Sequence, residues 1–572
     1  MRRLAAIAAC VMVLAPAPAL AASTVRGPVG AGSGTAAELA AGKLVGVAIG
    51  SGPVPGWHLT SARAVAIARR QPAIRQTLAE HPHAYPLAYL KGGGRWQIGF
   101  YAPYGGEVGQ VIIDDRDGRA VETWTGVQVA WTMARGYRGA FGEHVTALYV
   151  WLPLCVLFLA PFVRLRRPFA LINVDLLALL SLSLSLAFFD RARISASVPL
   201  AYPPLLYLLG RMLWLVRRRS RPADVRIRFG PRVLTIGLIF LVAFRVALNV
   251  TDGNVIDVGY AGVIGAQRIV EGRSIYGTFP TDNEHGDTYG PVAYEAYVPF
   301  EQLFGWSGTW NDLPAAHAAA LFFDLLAIAL VFWLGRRVRG PTFGLAMAWA
   351  WAAFPFTLYA LESDSNDTLV AVLVLAALVA ATYRPPAATF ARGLFAALAA
   401  LAKFAPLALV PVLWTHGVRE SARRARVLAL FAAGLVAGVA LAFVPLYDIT
   451  SLRTLWQRTI EYQAARGAPF SLWGLYHLHF DLRVAEALAA ALALALALVP
   501  RRDDIVGLCA ACAAILIAVE LALEYWFYLY IPWFFAPAML ALLAAGRGGQ
   551  RPANEPASES ARSRSPAAAL ST

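Results

Sequence analysis

Asp257 comes shortly after an apolar run, 233–250, and just ahead of a helical stretch from Ala261 to Val270. A carboxylate held at a membrane face can take the proton of an attacking hydroxyl, the work of a general base. It can equally cap a helix end. Asp252 is its nearest rival. Lys403 is one of three lysines, with Lys43 and Lys91, in a chain rich in arginine, and it lies within apolar sequence. A buried ammonium needs an anionic partner, and a phosphate entering from a bilayer is chemically suited; the alternative is snorkelling to an interface. Arg268 and Arg466 offer forks of N–H donors that match phosphate oxygens, or serve as interfacial arginines. No P-loop, HExxH pair or zinc spacing occurs, which argues against a nucleotide-driven pump or a metalloprotease.

These residues must be positioned by an unusually apolar chain. Of its 572 residues 58% are hydrophobic and 15% charged, too apolar and too long for one soluble domain. The net charge of +15 does not imply nucleic acid, because the arginines sit in short clusters between apolar runs. Segments long enough to cross a bilayer recur at 145–163, 169–189, 198–216, 233–250, 316–335, 343–361, 368–383, 427–445, 482–500, 505–523 and 526–546. Arg2 and Arg3, an apolar stretch and Ala19-Leu20-Ala21 form a signal peptide over 1–21, so the mature chain starts outside the cytoplasm. Alternate loops are then cytoplasmic, and those carry Arg164 to Arg167, Arg217 to Arg219, Arg336-Arg337 and Arg501-Arg502. Counting 392–414 as a crossing would put Arg419, Arg423, Arg424 and Arg426 outside, so that segment is expected to be a re-entrant hairpin or broken helix. The stretch 288–305, interrupted by Pro291, Glu295, Pro299 and Glu301, is expected at the outer interface. Cys509 and Cys512 fall inside an apolar helix, which points to packing rather than redox chemistry.

Ahead of the apolar body, 22–56 is rich in Ala, Gly and Pro and reads as a linker. A helical pattern follows from His58 to about Glu80, opened by Thr60 or Ser61, then strand-like alternation over Arg95 to Tyr101 and Glu107 to Asp114, a turn at Asp117-Gly118 and a third strand to about Trp124. This segment, 57–143, resembles a PepSY-like domain. The expected fold is an all-α polytopic membrane protein of about eleven transmembrane helices plus a re-entrant hairpin, with a small α+β extracytoplasmic N-terminal domain and a disordered cytoplasmic tail, 547–572. The multi-pass body sits in the cell membrane.

Asn254 to Tyr260, Arg268 and Glu271 to Tyr276 lie in the first long loop; Tyr289-Gly290-Pro291, Ser365-Asn366-Asp367, Leu401 to Pro406, and Tyr462-Gln463 through Arg466 to Ser471-Leu472-Trp473-Gly474 follow. In that order, over 233–546, they resemble the GT-C superfamily of membrane glycosyltransferases, and within it the glycosyltransferase 87 group. Three further helices, over 144–232, precede the matching part. The resemblance implies an inverting enzyme that moves a mannose- or arabinose-type sugar from a polyprenyl-phosphate donor to an extracytoplasmic glycan or glycolipid, with Asp257 as base. It implies substrate contacts from Tyr260, Arg268, Tyr289, Asn366, Asp367, Lys403, Arg466 and Trp473, and no metal or other cofactor. Residue by residue, other roles stay open: Asp367 as a helix cap, and Tyr289, Trp473, Tyr476 and the Tyr525 to Tyr528 cluster as an interfacial aromatic belt. The alternative function is a polytopic transporter or lipid flippase with an extracytoplasmic sensor domain. Partners besides donor and acceptor are the bilayer itself and no nucleic acid; the oligomeric state is left open.

Overall fold

The computed structural model describes Leu39 and residues 44–544, apart from 104–105, 136–140, 218–226, 311–312, 419–420, 448–450 and 500–501. The expected signal peptide, its cleavage point and the tail lie outside the described residues.

The N-terminal domain is an antiparallel sheet in chain order: β1 (Val45–Val47), β2 (Tyr85–Lys91), β3 (Arg95–Tyr101), β4 (Glu107–Asp114) and β5 (Ala120–Thr125). The register pairs Trp96 with Ile113 and Ile98 with Val111. Alternation therefore turns Trp96, Ile98, Phe100, Val111 and Ile113 to one face, where Ala64, Val65, Ala68 and Ile74 cover them. The expected single helix is two, Ser61–Arg69 and Pro72–Glu80, because Pro72 lacks an N–H and begins a new helix. Thr60 caps the first by accepting from the Arg63 N–H. Two strands were not expected, and β1 lies inside 22–56, so that stretch is not linker throughout.

Asp115 fastens this domain. Its carboxylate accepts from the backbone N–H groups of His58 (2.8 Å) and Leu59 (3.0 Å) and from Trp96 Nε1 (2.9 Å). Burial alone would raise its pKa; those donors outweigh burial and hold it below the ordinary carboxylate value. A depressed folded pKa stabilises above the unfolded value, about pH 4, and the contribution is lost as pH falls through the folded value. Asp115→Asn is therefore expected to speed hydrogen exchange of the β3 and β4 amides at pH 7, whereas the wild type loses that protection only below about pH 4. Unchanged exchange in the variant would remove Asp115 as the fastening.

The body is helical and apolar inside and out. Four helices are long and apolar enough to cross a membrane: Leu171–Phe189, Pro231–Asp252, Pro314–Arg339 and Arg424–Leu446. A fifth is made if Pro341–Ala353 and Pro355–Glu362, bent by 56°, are one span. Leu148–Leu159, Asp367–Ala381, Pro386–Ala402, Ala405–Thr415, Ile505–Leu521 and Tyr528–Ala544 are apolar but shorter. Length and composition thus give four or five spans among the described residues, fewer than the eleven expected. Ile505–Leu521 and Ile531–Ala544 are almost wholly buried, whereas Pro231–Asp252 and Arg424–Phe443 expose Ile236, Phe240, Val436 and Leu441. Apolar residues on both faces are the mark of a protein surrounded by lipid.

The segment around 392–414 turns back on itself. Pro386–Ala402 ends at Lys403, whose backbone is extended (φ −140°, ψ 143°), and the chain continues through Ala405–Leu409 and Val410–Thr415. The Arg392 guanidinium donates to the His416 carbonyl at 3.2 Å, so the returning arm ends beside the middle of the first. Gly393 and Gly434 let this helix press against Arg424–Phe443, since a Cβ on either would overlap a carbonyl of the partner. The tip of the hairpin carries Lys403.

Candidate active site

The backbone before Asp257 is strapped to the loop before Asp367. Asn254 N–H donates to the Glu362 carbonyl (2.9 Å) and Ile256 N–H to the Ser363 carbonyl (3.1 Å). Asp364 takes a left-handed conformation (φ 49°), and its carboxylate accepts from Asn249 Nδ2 at 2.8 Å. A Cβ on Gly259 would overlap the Asp364 carbonyl, so the Asp257–Val270 helix can only approach this closely with glycine there. Two loops far apart in sequence therefore present Asp257 and Asp367 to the same space.

A second close approach brings in the hairpin tip. A Cβ on Gly290 would overlap the Leu401 carbonyl, and this contact sets the Tyr289 ring 5.2 Å from Lys403 Nζ. Gly290→Ala is expected to force the segments apart and to cost about 1–3 kcal/mol, read as a lowered unfolding midpoint in detergent. A wild-type midpoint would show that the contact does not hold Tyr289 in place.

Lys403 is neither snorkelled nor without a protein partner. Its Nζ lies 2.6 Å from Asp367 Oδ1, and the rings of Tyr289, Tyr530 and Trp533 surround it at 5.2–5.5 Å. Asp367 Oδ2 accepts from Ser365 Oγ at 3.0 Å, so both its oxygens are engaged and it does not act as a side-chain cap. The buried pair answers the desolvation cost that the sequence posed for the lysine.

Asp257, Tyr289, Asp367, Lys403 and Arg466 line one cavity of about 240 Å³. Asp257 makes no ion pair among the described residues, and its accessible surface lies in this cavity. The enclosing protein pushes its carboxyl up; Arg466 and Lys403 oppose that, and the net direction is upward. Arg466 also makes no carboxylate pair among the described residues. Aromatic rings hold it instead, with its guanidinium carbon 4.0 Å from the Tyr525 ring centre, 5.5 Å from Trp131 and 6.0 Å from Tyr462. One wall is apolar, with Leu482, Ala522, Leu523, Phe527 and Leu529. The chamber thus offers a proton acceptor and two cations beside a greasy surface.

Four of the expected contacts do not line it. Tyr260 is buried against Trp310, its hydroxyl donating to Asp282 at 3.2 Å. Arg268 donates to the Thr278 carbonyl at 2.9 Å and so holds its own loop. Trp473 donates to the Leu521 carbonyl at 2.8 Å and packs on Tyr202. Asn366, beside the cavity rather than in it, is buried with no hydrogen bond to its side chain among the described residues. Asp252, the rival base, accepts from the Glu143 and His144 backbone N–H groups (3.1 and 2.8 Å) and lies 2.8 Å from His144 Nδ1. Glu143, His144 and Asp252 could together hold a metal ion, but Asp252 is already taken up with fastening this turn.

Glu524, Gln463 and Thr288 line the cavity without having been singled out, and so do Tyr525 and Phe527 from the cluster read as an interfacial belt. That cluster is internal: Trp526 donates to Glu520, and the Tyr528 hydroxyl bonds Ser185 and Ser197. The acidic stretch between Thr278 and Thr288 is structural in part. Asp287 is buried, pairs with Arg458 at 2.7 Å and accepts from the Gly277 N–H, tying two long loops together.

No family model matches the chain, and no curated protein matches it. Among solved structures, the crystal structure of ArnT from Cupriavidus metallidurans bound to undecaprenyl phosphate is similar over 55% of this chain and 60% of that one, with 19% identity and a TM-score of 0.37. The matched part thus spans less than two thirds of that protein's length.

Proposed function

We propose that this protein is a membrane glycosyltransferase that moves a sugar from a polyprenyl-phosphate donor to an extracytoplasmic glycan or glycolipid acceptor. The observation that carries it is the convergence of Asp257, Lys403 and Arg466 on one partly apolar cavity within a membrane body. Asp257 accepts the proton of the acceptor hydroxyl as that oxygen attacks the anomeric carbon. The bond from the anomeric carbon to the phosphate oxygen breaks, configuration inverts, and polyprenyl phosphate leaves. Its phosphate gains a negative charge in that step, which Arg466 and Lys403 are placed to offset. The apolar wall suits an isoprenoid, and Tyr289 and Tyr525 suit a sugar face.

Transfer from radiolabelled polyprenyl-phosphate-mannose or -arabinose, measured with purified protein in detergent, tests this reading. Detergent removes the sealed compartment that transport requires, so label appearing in acceptor supports an enzyme. No transfer in detergent, together with movement of the lipid-linked sugar across proteoliposomes, would replace the enzyme with a flippase.

A further inference from the structure

Between β5 and the membrane body runs a connector that includes Val127–Ala130 and Thr132–Arg135. It is anchored at both ends. On the sheet side, the Arg135 guanidinium lies 5.6 Å from the Trp124 ring of β5 and donates to the carbonyls of Gln128 (2.6 Å) and Val129 (3.1 Å). On the body side, Gln128 Nε2 donates to the Ala192 carbonyl at 2.9 Å, at the turn between Leu171–Phe189 and Ile194–Arg217. So held, the connector places Met133 on the cavity wall. Trp131 packs edge-on against Phe470 at 5.4 Å, tilted against Tyr525 at 5.7 Å, and over the Arg466 guanidinium at 5.5 Å.

We infer that Trp131 is a positioning residue for Arg466, so that anion binding in the cavity depends on a side chain delivered by the N-terminal domain. Arg466 ends a short helix, Tyr462–Ala465, and has extended backbone (φ −77°, ψ 104°). Without a carboxylate to orient it, its guanidinium is placed by the aromatic faces around it. Rings that take the planar faces leave the N–H edge to bond an anion. Trp131 also buttresses Phe470, four residues on, and thereby the turn that carries Arg466 away from its helix. The extracytoplasmic domain is thus a built-in part of the site. This inference rests on the proposed reading of the cavity as a phosphate site.

The test uses full-length protein in detergent and measures binding of farnesyl phosphate and of inorganic phosphate by calorimetry. Trp131→Leu, which keeps apolar bulk but loses the ring face, is expected to weaken farnesyl phosphate binding roughly 10-fold, whereas Trp131→Phe stays within roughly 3-fold of wild type. In an Arg466→Gln background Trp131→Leu should have no further effect. Trp131→Met and Trp131→Tyr form a second aliphatic and aromatic pair should the first fail to fold. Weakening of both ligands supports positioning toward any phosphate, and weakening of farnesyl phosphate alone supports positioning toward the lipid headgroup. Equal binding by the Leu and Phe variants, with the wild type binding, overturns the role of Trp131 and leaves the phosphate site standing. No binding to wild type overturns both.

Discussion

Asp257→Asn is expected to lower sugar transfer by about 10²–10⁴-fold, the range over which a positioned base contributes, with donor binding little changed. The substitution is nearly isosteric and removes only the proton acceptor. The wild-type rate should fall on the acid side as Asp257 takes up a proton. Because enclosure raises its pKa, that limb should lie above the ordinary carboxylate value of about 3.9. The residual rate of the variant should lack the limb. Transfer at matched abundance, followed from pH 4 to pH 8, measures both, and equal rates would remove Asp257 and turn attention to Glu524, the other carboxylate on the wall without an ion pair among the described residues.

What was legible in the sequence follows from where the costs fall. A lysine in apolar sequence and a carboxylate after an apolar helix are expensive to place, so Lys403 and Asp257 are conspicuous without a structure. The partner of the lysine was not, since Asp367 lies 36 positions away and looks locally like a helix cap. Tyr260, Arg268 and Trp473 belong to the right loops, but loop membership does not fix side-chain direction, and each is spent on its own loop or a neighbouring helix. Tyr525 was lost in a run of aromatics that has the composition of an interfacial belt, and only burial separates the two. Trp131 carries no local signal at all, because its meaning comes from Arg466 and Phe470 far along the chain.

The fold shows the same division. The alternation of β3 and β4 is plain, whereas β1 is three residues in a Gly-rich stretch and β2 contains Pro86; both are strands because β3 pairs with β2 and β2 with β1. The number of spans was overcounted by length and composition because buried helices are apolar all round without needing to match a bilayer. Asp367–Ala381 illustrates this: its apolar residues face other helices, and its start is fixed by the pair with Lys403 rather than by a lipid interface.

That pair yields the second large effect. Asp367→Asn leaves the Lys403 ammonium among Tyr289, Tyr530 and Trp533 with no carboxylate, and Lys403→Met leaves Asp367 buried with only the Ser365 hydroxyl. Each single change is expected to cost about 3–5 kcal/mol, as breaking a buried pair from one side does. The double variant, which buries no charge, should recover most of that loss, and thermal unfolding of the four proteins in detergent closes the cycle. Transfer separates structure from chemistry. If Lys403 also meets the phosphate, the double variant should unfold near the wild-type temperature and remain inactive, because no cation is left at the hairpin tip. If transfer returns with stability, the pair only holds the hairpin against the Asp367–Ala381 helix, and Arg466 is left as the cation that meets the leaving phosphate.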